Sequence, residues 1–280
     1  MKNTYTESVS ELFTLGEMDW DEWDDYSEFA FTKEHIPELI RLGMDRHLLV
    51  DVADVDDDEM WAPMHAWRIL VQMRAMESIA PLTQVLDWSE ETETDLISEG
   101  LTDALVKFGA PVIESLAAFM NEPGHAIGGY ISASEVMSRI GEQQPEHRDR
   151  IIQILTSALD ENFERNDEDV NGFWIADLLD LDAIESYPAI KKAFVANKVN
   201  LRVVGDLEDV EMEFGMRAAR ETPAPNLTLP LDFMRALRDA DEMLPVLLKD
   251  EKKRLIEKEK KQKNKRKQEK KSRRKNRKRK

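Results

Sequence analysis

The phrase Trp61-Ala-Pro-Met-His65-Ala-Trp67-Arg68 brings an imidazole, two indoles and a guanidinium into one short stretch. On a helix, His65 sits one turn above Ile69. One reading makes Trp61, His65 and Arg68 a pocket, with Trp61 stacking on a ligand and Arg68 holding an anion. The other reading buries them: His65 satisfies a polar position in the core, and Trp61 and Trp67 fill it. Helical aromatic stripes mostly face the core, which favours the second. The remaining histidines, at 35, 47, 125 and 147, share no metal-ligand spacing with His65.

Trp20 and Trp23 stand in a carboxylate-rich run, Asp19-Trp20-Asp21-Glu22-Trp23-Asp24-Asp25-Tyr26. Aromatics among acids suit docking into a basic groove, and they equally suit packing onto the first helical repeat. A second acidic run, Asp54-Val-Asp56-Asp-Asp58, invites a calcium reading. An EF-hand loop needs glycine at its sixth position and glutamate at its twelfth. Counted from Asp54, those positions hold Glu59 and His65, so the loop fails. The run reads as a solvated acidic turn whose charge favours the N-terminus of the helix that follows.

A third feature is cationic. Residues 249–280 hold 20 Lys and Arg against 5 Asp and Glu, a charge of +15; the other 248 residues hold 19 against 52, a charge of −33. Lys265, Arg266, Lys267, Arg273, Arg274, Lys275, Arg277, Lys278, Arg279 and Lys280 are candidate polyanion contacts. They can neutralise phosphates and release counterions, which gives salt-dependent, sequence-blind binding. No aromatic residue interleaves them, so base stacking is not offered. With few apolar residues beyond Leu255 and Ile256, this tail is expected to be disordered. It can also bind an acidic protein or lipid surface, associate with the chain's own acidic residues, or serve only to solvate.

Helices must position these groups. Apolar residues recur at helical spacing in Ile97, Leu101, Ala104, Leu105 and Phe108, then in Val112, Ile113, Leu116 and Met120. Ala133, Val136, Met137 and Ile140 continue the pattern, as do Ile152, Leu155 and Leu159, then Trp174, Leu178 and Leu181, then Tyr187, Ile190 and Phe194. No comparable length alternates as a strand does. Helix punctuation separates the stripes, as at Gly109-Ala-Pro111, Asn121-Glu-Pro123-Gly124 and Ser186-Tyr-Pro188. Second helices open on similar phrases near Pro81, Pro111, Ile151 and Pro188, a loose period of 30–40 residues. Such a period with two helices per unit predicts an α-solenoid, whose stacked pairs make one core.

These phrases carry a resemblance. Ala104-Leu-Val-Lys-Phe108-Gly-Ala-Pro-Val-Ile-Glu-Ser-Leu116 resembles the HEAT-like repeats of the phycobilisome-lyase type. Trp61–Arg68 and Val204-Gly-Asp206-Leu-Glu-Asp-Val210 resemble an uncharacterised bacterial family with such repeats, over roughly residues 33–215. The resemblance implies a protein-binding scaffold, while some cyanobacterial relatives act on bilin chromophores. Members often end in a Cys- and His-rich zinc motif; this chain has no cysteine and carries the basic tail there.

The expected fold is therefore all-α: an α-solenoid of HEAT-like helix pairs with a disordered basic C-terminal tail. Residues 1–58 form an acidic region with short helices, with Thr32 a candidate cap, and 59–216 the solenoid. Leu201–Val204 and Gly205-Asp206 read as a short extended piece and a turn. Residues 217–230 read as a proline-rich linker and 231–248 as a short helical cap. The absence of cysteine excludes disulfides, thiolate metal sites and cysteine nucleophiles. No apolar run approaches the roughly 18 residues of a membrane span, and no signal-type segment opens the chain, so a soluble, cytoplasmic protein is expected. Phosphate-loop, HExxH and GxSxG motifs are missing, and no cofactor is indicated. The expected function is a non-catalytic protein-binding scaffold, using Trp20, Trp23, Trp61, His65 and Arg68. A nucleic-acid- or ribosome-associated factor acting through the tail is the alternative. A lyase-type enzyme on the HEAT-like scaffold, with His65 and Arg68 as its only candidates, is the third.

Overall fold

The computed structural model describes residues 5–225 except 21–22, 53–54, 56–57 and 93. The tail candidates from Lys265 to Lys280, the 231–248 cap, and Asp21, Glu22, Asp54, Asp56 and Asp57 lie outside the described residues. Among the described residues every regular element is helical and none is a strand. No described helix is long and apolar enough to cross a membrane.

The N-terminal part holds α1 (Glu7–Ser10), α2 (Ile36–Gly43) and α3 (Arg46–Leu49). Thr32 opens the turn that leads into α2, and its backbone N–H donates to His35 Nδ1 at 3.0 Å. Four helix pairs follow. They are α4 (Ala62–Gln72) with α5 (Ile79–Val85), α6 (Thr102–Phe108) with α7 (Ile113–Asn121), α8 (Ile127–Gln143) with α9 (Pro145–Asn162), and α10 (Glu168–Asp180) with α11 (Tyr187–Val195). The short α12 (Leu201–Val204) and α13 (Leu207–Glu213) close the described chain.

Packing runs between helices two places apart. One row is α2, α4, α6, α8, α10 and α12, each against the next; the other is α5, α7, α9 and α11. A single helix pair has too little apolar surface to exclude water from both of its faces, and stacking completes the burial. The apolar stripes meet between the rows. Leu101, Ala104, Leu105, Leu116, Val136, Met137, Ile140, Leu155 and Leu178 are all fully buried, in one continuous core that also takes in Val9, Leu12 and Phe13. At the α2–α4 contact, Trp67 donates its indole N–H to Gly43 O at 2.8 Å. A Cβ on Gly43 would press on that ring, so glycine sets how closely the two helices approach.

Two of the four junctions between paired helices, α4–α5 and α10–α11, share one geometry. Arg74 ends α4 in the left-handed region at φ 51°, and Asp182 ends α10 at φ 50°. The N–H of Arg74 bonds to Val71 O and that of Ala75 to Leu70 O, both at 2.9 Å; Asp182 and Ala183 repeat the pattern on Leu179 and Leu178. This is the Schellman closure, which satisfies the last carbonyls of a helix. The next residues match too: Ala75-Met-Glu-Ser78 and Ala183-Ile-Glu-Ser186 each start the second helix through a short 3-10 turn.

Residues 201–204 depart from the expected extended piece: they form a helical turn. Asn200 caps it, its side chain accepting from Arg202 N–H at 2.9 Å. Gly205 follows at φ +74°, where a Cβ would collide with the Asp209 side chain. Asp206 then caps α13, accepting from Glu208 N–H and Asp209 N–H. Arg217 and Arg220 fold back onto α13, pairing with Glu208 and Glu211 and with Asp206 and Asp209.

Candidate functional site

All five aromatic and polar candidates of the body meet on the outer face of α4. Residues 15–20 and 23–29 precede α2 and form an irregular strap over that face. Arg68 donates from Nη2 to Asp19 O at 2.6 Å, and Gln72 donates to Asp24 O at 2.7 Å. His65 Nε2 lies 2.9 Å from Gly16 O. Positions 65, 68 and 72 thus take residues 16, 19 and 24 in the same order, so the strap runs alongside the helix. It then turns back, and Tyr26 OH reaches His65 Nδ1 at 2.7 Å.

These contacts define the chemistry of His65. A carbonyl can only accept, so Nε2 carries the proton and donates to Gly16 O. Nδ1 is then the acceptor, and the Tyr26 hydroxyl donates to it. Burial pushes the imidazole below its ordinary range, and the Arg68 charge adds to that; the Gly16 carbonyl and Asp24 oppose. The ring is 2% exposed and neutral, with both nitrogens engaged. Burial also raises the Tyr26 phenol, with Asp24 second. Neither nitrogen of His65 is left to take a proton from a substrate.

Arg68 is 4% exposed, with its guanidinium 5.1 Å over the Trp23 ring. Such a cation–π contact offsets part of the cost of burying the charge. Trp20 packs edge-on against Trp61 with centroids 6.0 Å apart, and it keeps 39% of its surface exposed. A cavity of about 300 Å³ opens beside this cluster, lined by Glu17, Asp24, Glu28, Phe29 and His65 among others. Its walls carry carboxylates and the rings of Tyr26 and Phe29.

The cluster continues onto the next helices of the same row. Trp23 donates its indole N–H to Asp103 Oδ2 on α6 at 3.1 Å. Arg139 on α8 donates to Asp103 Oδ1 at 3.2 Å and lies 3.6 Å from Glu135. Beyond them, α10 carries Asp177, 8% exposed, whose Oδ2 is buried without a hydrogen-bond partner. Burial pushes this carboxyl up to about 8; the Ser134 hydroxyl opposes, and the charges of Glu135, Asp180 and Glu142 add to the rise. Desolvation and carboxylates also raise Glu135, with burial the first cause, Arg139 opposing and Glu99 adding. Asp103 and Glu135 thus put half-exposed carboxylates along α6 and α8, Asp177 is sealed at the α8–α10 contact, and one row joins all three to the strap.

Sequence reasoning did not single out Asp177. In the sequence it is one acid in Ala176-Asp-Leu-Leu-Asp180, and only its position against α8 makes it unusual. The strap was equally hidden. Its bonds to His65, Arg68 and Gln72 use the backbone carbonyls of Gly16, Asp19 and Asp24, which no residue type announces.

No curated protein and no solved structure matches the chain. A family model described as a protein of unknown function (DUF1186) matches residues 30–222. The strap precedes this span. The span ends at Thr222, whose backbone N–H bonds to Glu208 of α13. The match covers well over half of the sequence, and the protein belongs to that family.

Proposed function

We propose that the protein is a non-catalytic protein-binding scaffold of HEAT-like helix pairs, and that the α6–α8–α10 face of the first row is its binding surface. The engagement of His65 and Arg68 by the strap carries this reading. The groups best suited to chemistry are tied into the fold, while the face beside them stays open. The stacked order of paired helices supports the HEAT-like assignment, because such rows build extended binding surfaces without a buried reaction centre. Photo-crosslinking in cells tests the reading. A photoreactive residue at Ile131 or Phe173, on the first-row face, is expected to capture a discrete protein. The same residue at Gln153 or Glu161 of α9 is expected not to. Equal capture at all four positions, or none, would remove the assignment to this face.

The +15 charge of residues 249–280 favours a second reading, a nucleic-acid- or ribosome-associated factor. Binding of labelled single-stranded RNA is then expected to disappear in a chain ending at Asp250. It is also expected to weaken steeply with salt. Binding that survives the truncation would place the contact elsewhere and end this reading.

A further inference from the structure

We propose that Arg68, Asp103 and Arg139 form a seat for one indole ring, which Trp23 fills from within the chain and which a tryptophan-bearing segment of a partner protein takes in its place. The inference rests on the scaffold reading and names the anchor of its partner.

Three successive helices of the first row supply the seat. Arg68 of α4 holds its guanidinium 5.1 Å over the Trp23 ring. Asp103 of α6 accepts the indole N–H on Oδ2 at 3.1 Å. Arg139 of α8 donates to the other oxygen of Asp103 at 3.2 Å. One group reads the face of the ring and another reads its N–H. An indole answers both; a phenylalanine ring answers only the first. The seat does not depend on Trp23 for its shape. Arg139 fixes Asp103 and lies 3.6 Å from Glu135, while Asp19 O holds Arg68 at 2.6 Å. Such preorganisation lowers the cost of receiving a second ring. The rim is open to water, with the Arg139 and Asp103 side chains 33% and 29% exposed.

Trp23 is the replaceable part. It lies in the irregular run before the 3-10 turn Ser27–Phe29, so no helical ladder fixes it. Its ring is only partly buried. Rotation about its own side-chain bonds takes the ring out of the seat while Gly16, Asp19 and Tyr26 keep their bonds to α4. The family span, residues 30–222, contains all three seat residues and excludes Trp23. The receptor thus lies inside that span and its present occupant outside.

Exposure of the Trp23 ring is offset by burial of the partner's ring in the same place, so the exchange within the seat is close to balanced. The partner's other contacts, along the α6–α8–α10 face, decide the outcome. Trp23 is tethered beside the seat and competes at a high effective concentration. Its removal therefore strengthens binding, the reverse of what loss of a merely structural ring would do.

The test is fluorescence anisotropy on the full-length chain with a labelled Gly-Lys-Gly-Trp-Gly-Lys-Gly peptide as probe. Peptides with Phe or Ala in place of the Trp run beside it. All three carry equal charge, so attraction to the acidic chain is common to every arm. The Trp23→Ala chain is expected to bind the tryptophan peptide about ten-fold more tightly than the parent chain. The Trp23→Phe chain, which keeps a ring in the seat and loses the N–H bond, is expected to gain about two- to five-fold. In the Trp23→Ala chain, the phenylalanine peptide is expected to bind about five-fold more weakly than the tryptophan peptide, and the alanine peptide about ten-fold more weakly. Adding Asp103→Ala, at a partly exposed position, is expected to remove the difference between the tryptophan and phenylalanine peptides. Far-UV circular dichroism checks the fold of each variant; should Trp23→Ala fail to fold, Trp23→Phe decides alone. Equal binding of the tryptophan and alanine peptides, or no gain in any folded Trp23 variant, would overturn the seat. Failure of the tryptophan peptide alongside successful crosslinking at Ile131 or Phe173 would overturn the seat and leave the scaffold reading intact. Failure of both would overturn both.

Discussion

His65 holds two segments of the strap at once, at Gly16 and at Tyr26, and its neutrality makes that hold sensitive to acid. The folded imidazole is pushed below its ordinary range, whereas the unfolded one titrates near its usual value of about 6.5. The folded state therefore binds fewer protons than the unfolded state below that pH. His65 contributes its full stability above about pH 6.5 and loses it as pH falls, by up to about 1.4 kcal/mol per pH unit. Chemical denaturation from pH 8 to pH 5 should show this loss. The non-titrating His65→Gln variant should lack that part of the slope, and an unchanged slope would assign the acid sensitivity elsewhere. His65→Ala should cost about 2–4 kcal/mol at pH 7.5, because it strands the Tyr26 hydroxyl and the Gly16 carbonyl. Asp177 has the opposite sign. Its folded value, about 8, stands above its unfolded value, so its contribution is complete in acid and is lost as pH rises through about 8. Asp177→Asn should therefore be more stable than the parent chain at pH 8, with a difference that shrinks toward pH 4. A difference that grows in acid would refute the burial assigned to this carboxyl.

At the scale of the helix, the α4–α5 and α10–α11 junctions reverse the chain in the same way. Each reversal uses a left-handed residue, and a non-glycine residue there costs roughly 1–2 kcal/mol. Arg74 and Asp182 are both exposed, so their side chains can be removed without opening the core. Their charges differ in value. Arg74 sits at the negative end of the α4 dipole and is favourable there, whereas Asp182 at the end of α10 is not. Asp182→Gly should therefore stabilise the protein by about 0.5–1 kcal/mol, and Arg74→Gly by less. The order of the two midpoints in a thermal melt decides the matter, and a reversed order would refute the dipole argument. These junctions also show what the sequence made legible. The apolar stripes from Ile97 to Leu181 place the helices, because periodicity reports which face is buried. The break at Gly109 announces itself, since glycine at positive φ is ordinary. Arg74 and Asp182 do not announce themselves: their residue types say nothing of φ, and only the shared Ala-x-Glu-Ser phrase after them marks the repeat. The turn at 201–204 reads as extended in the sequence because Val203 and Val204 favour strands, and the cap from Asn200 outweighs that preference locally.

Across the whole molecule, the same core joins parts that the sequence presents as separate. The acidic region before residue 59 has short, weakly periodic segments, yet Val9, Leu12, Phe13, Leu39 and Leu42 are buried in one cluster with Trp67, Leu105 and Trp174. Charge composition describes the solvent side of that region and conceals its inner side. Stacked pairs can unfold piecemeal when neighbouring interfaces are weak. Here the interfaces are continuous, from the Trp67–Gly43 bond at one end to Trp174, which donates its indole N–H to Tyr130 O at 3.1 Å, near the other. Both indoles are fully buried. They therefore report on opposite ends of the row through the same optical signal. Trp174→Phe leaves Trp20, Trp23, Trp61, Trp67 and Trp88, all outside α10, as the reporters, whereas Trp67→Phe removes one of these and keeps Trp174, each at the cost of a cavity and a hydrogen bond. In urea, the fluorescence of each variant should follow its own far-UV circular dichroism, with coincident midpoints and slopes. Each variant should unfold at lower urea than the parent chain, but with one transition. A fluorescence midpoint that separates from the dichroism in either variant would show that the strap-bearing end and the α10 end unfold as independent units. Coincidence in both would mean that the strap, the first-row face and Asp177 belong to one cooperative structure, so that a partner bound at α10 would stabilise the strap over α4 as well.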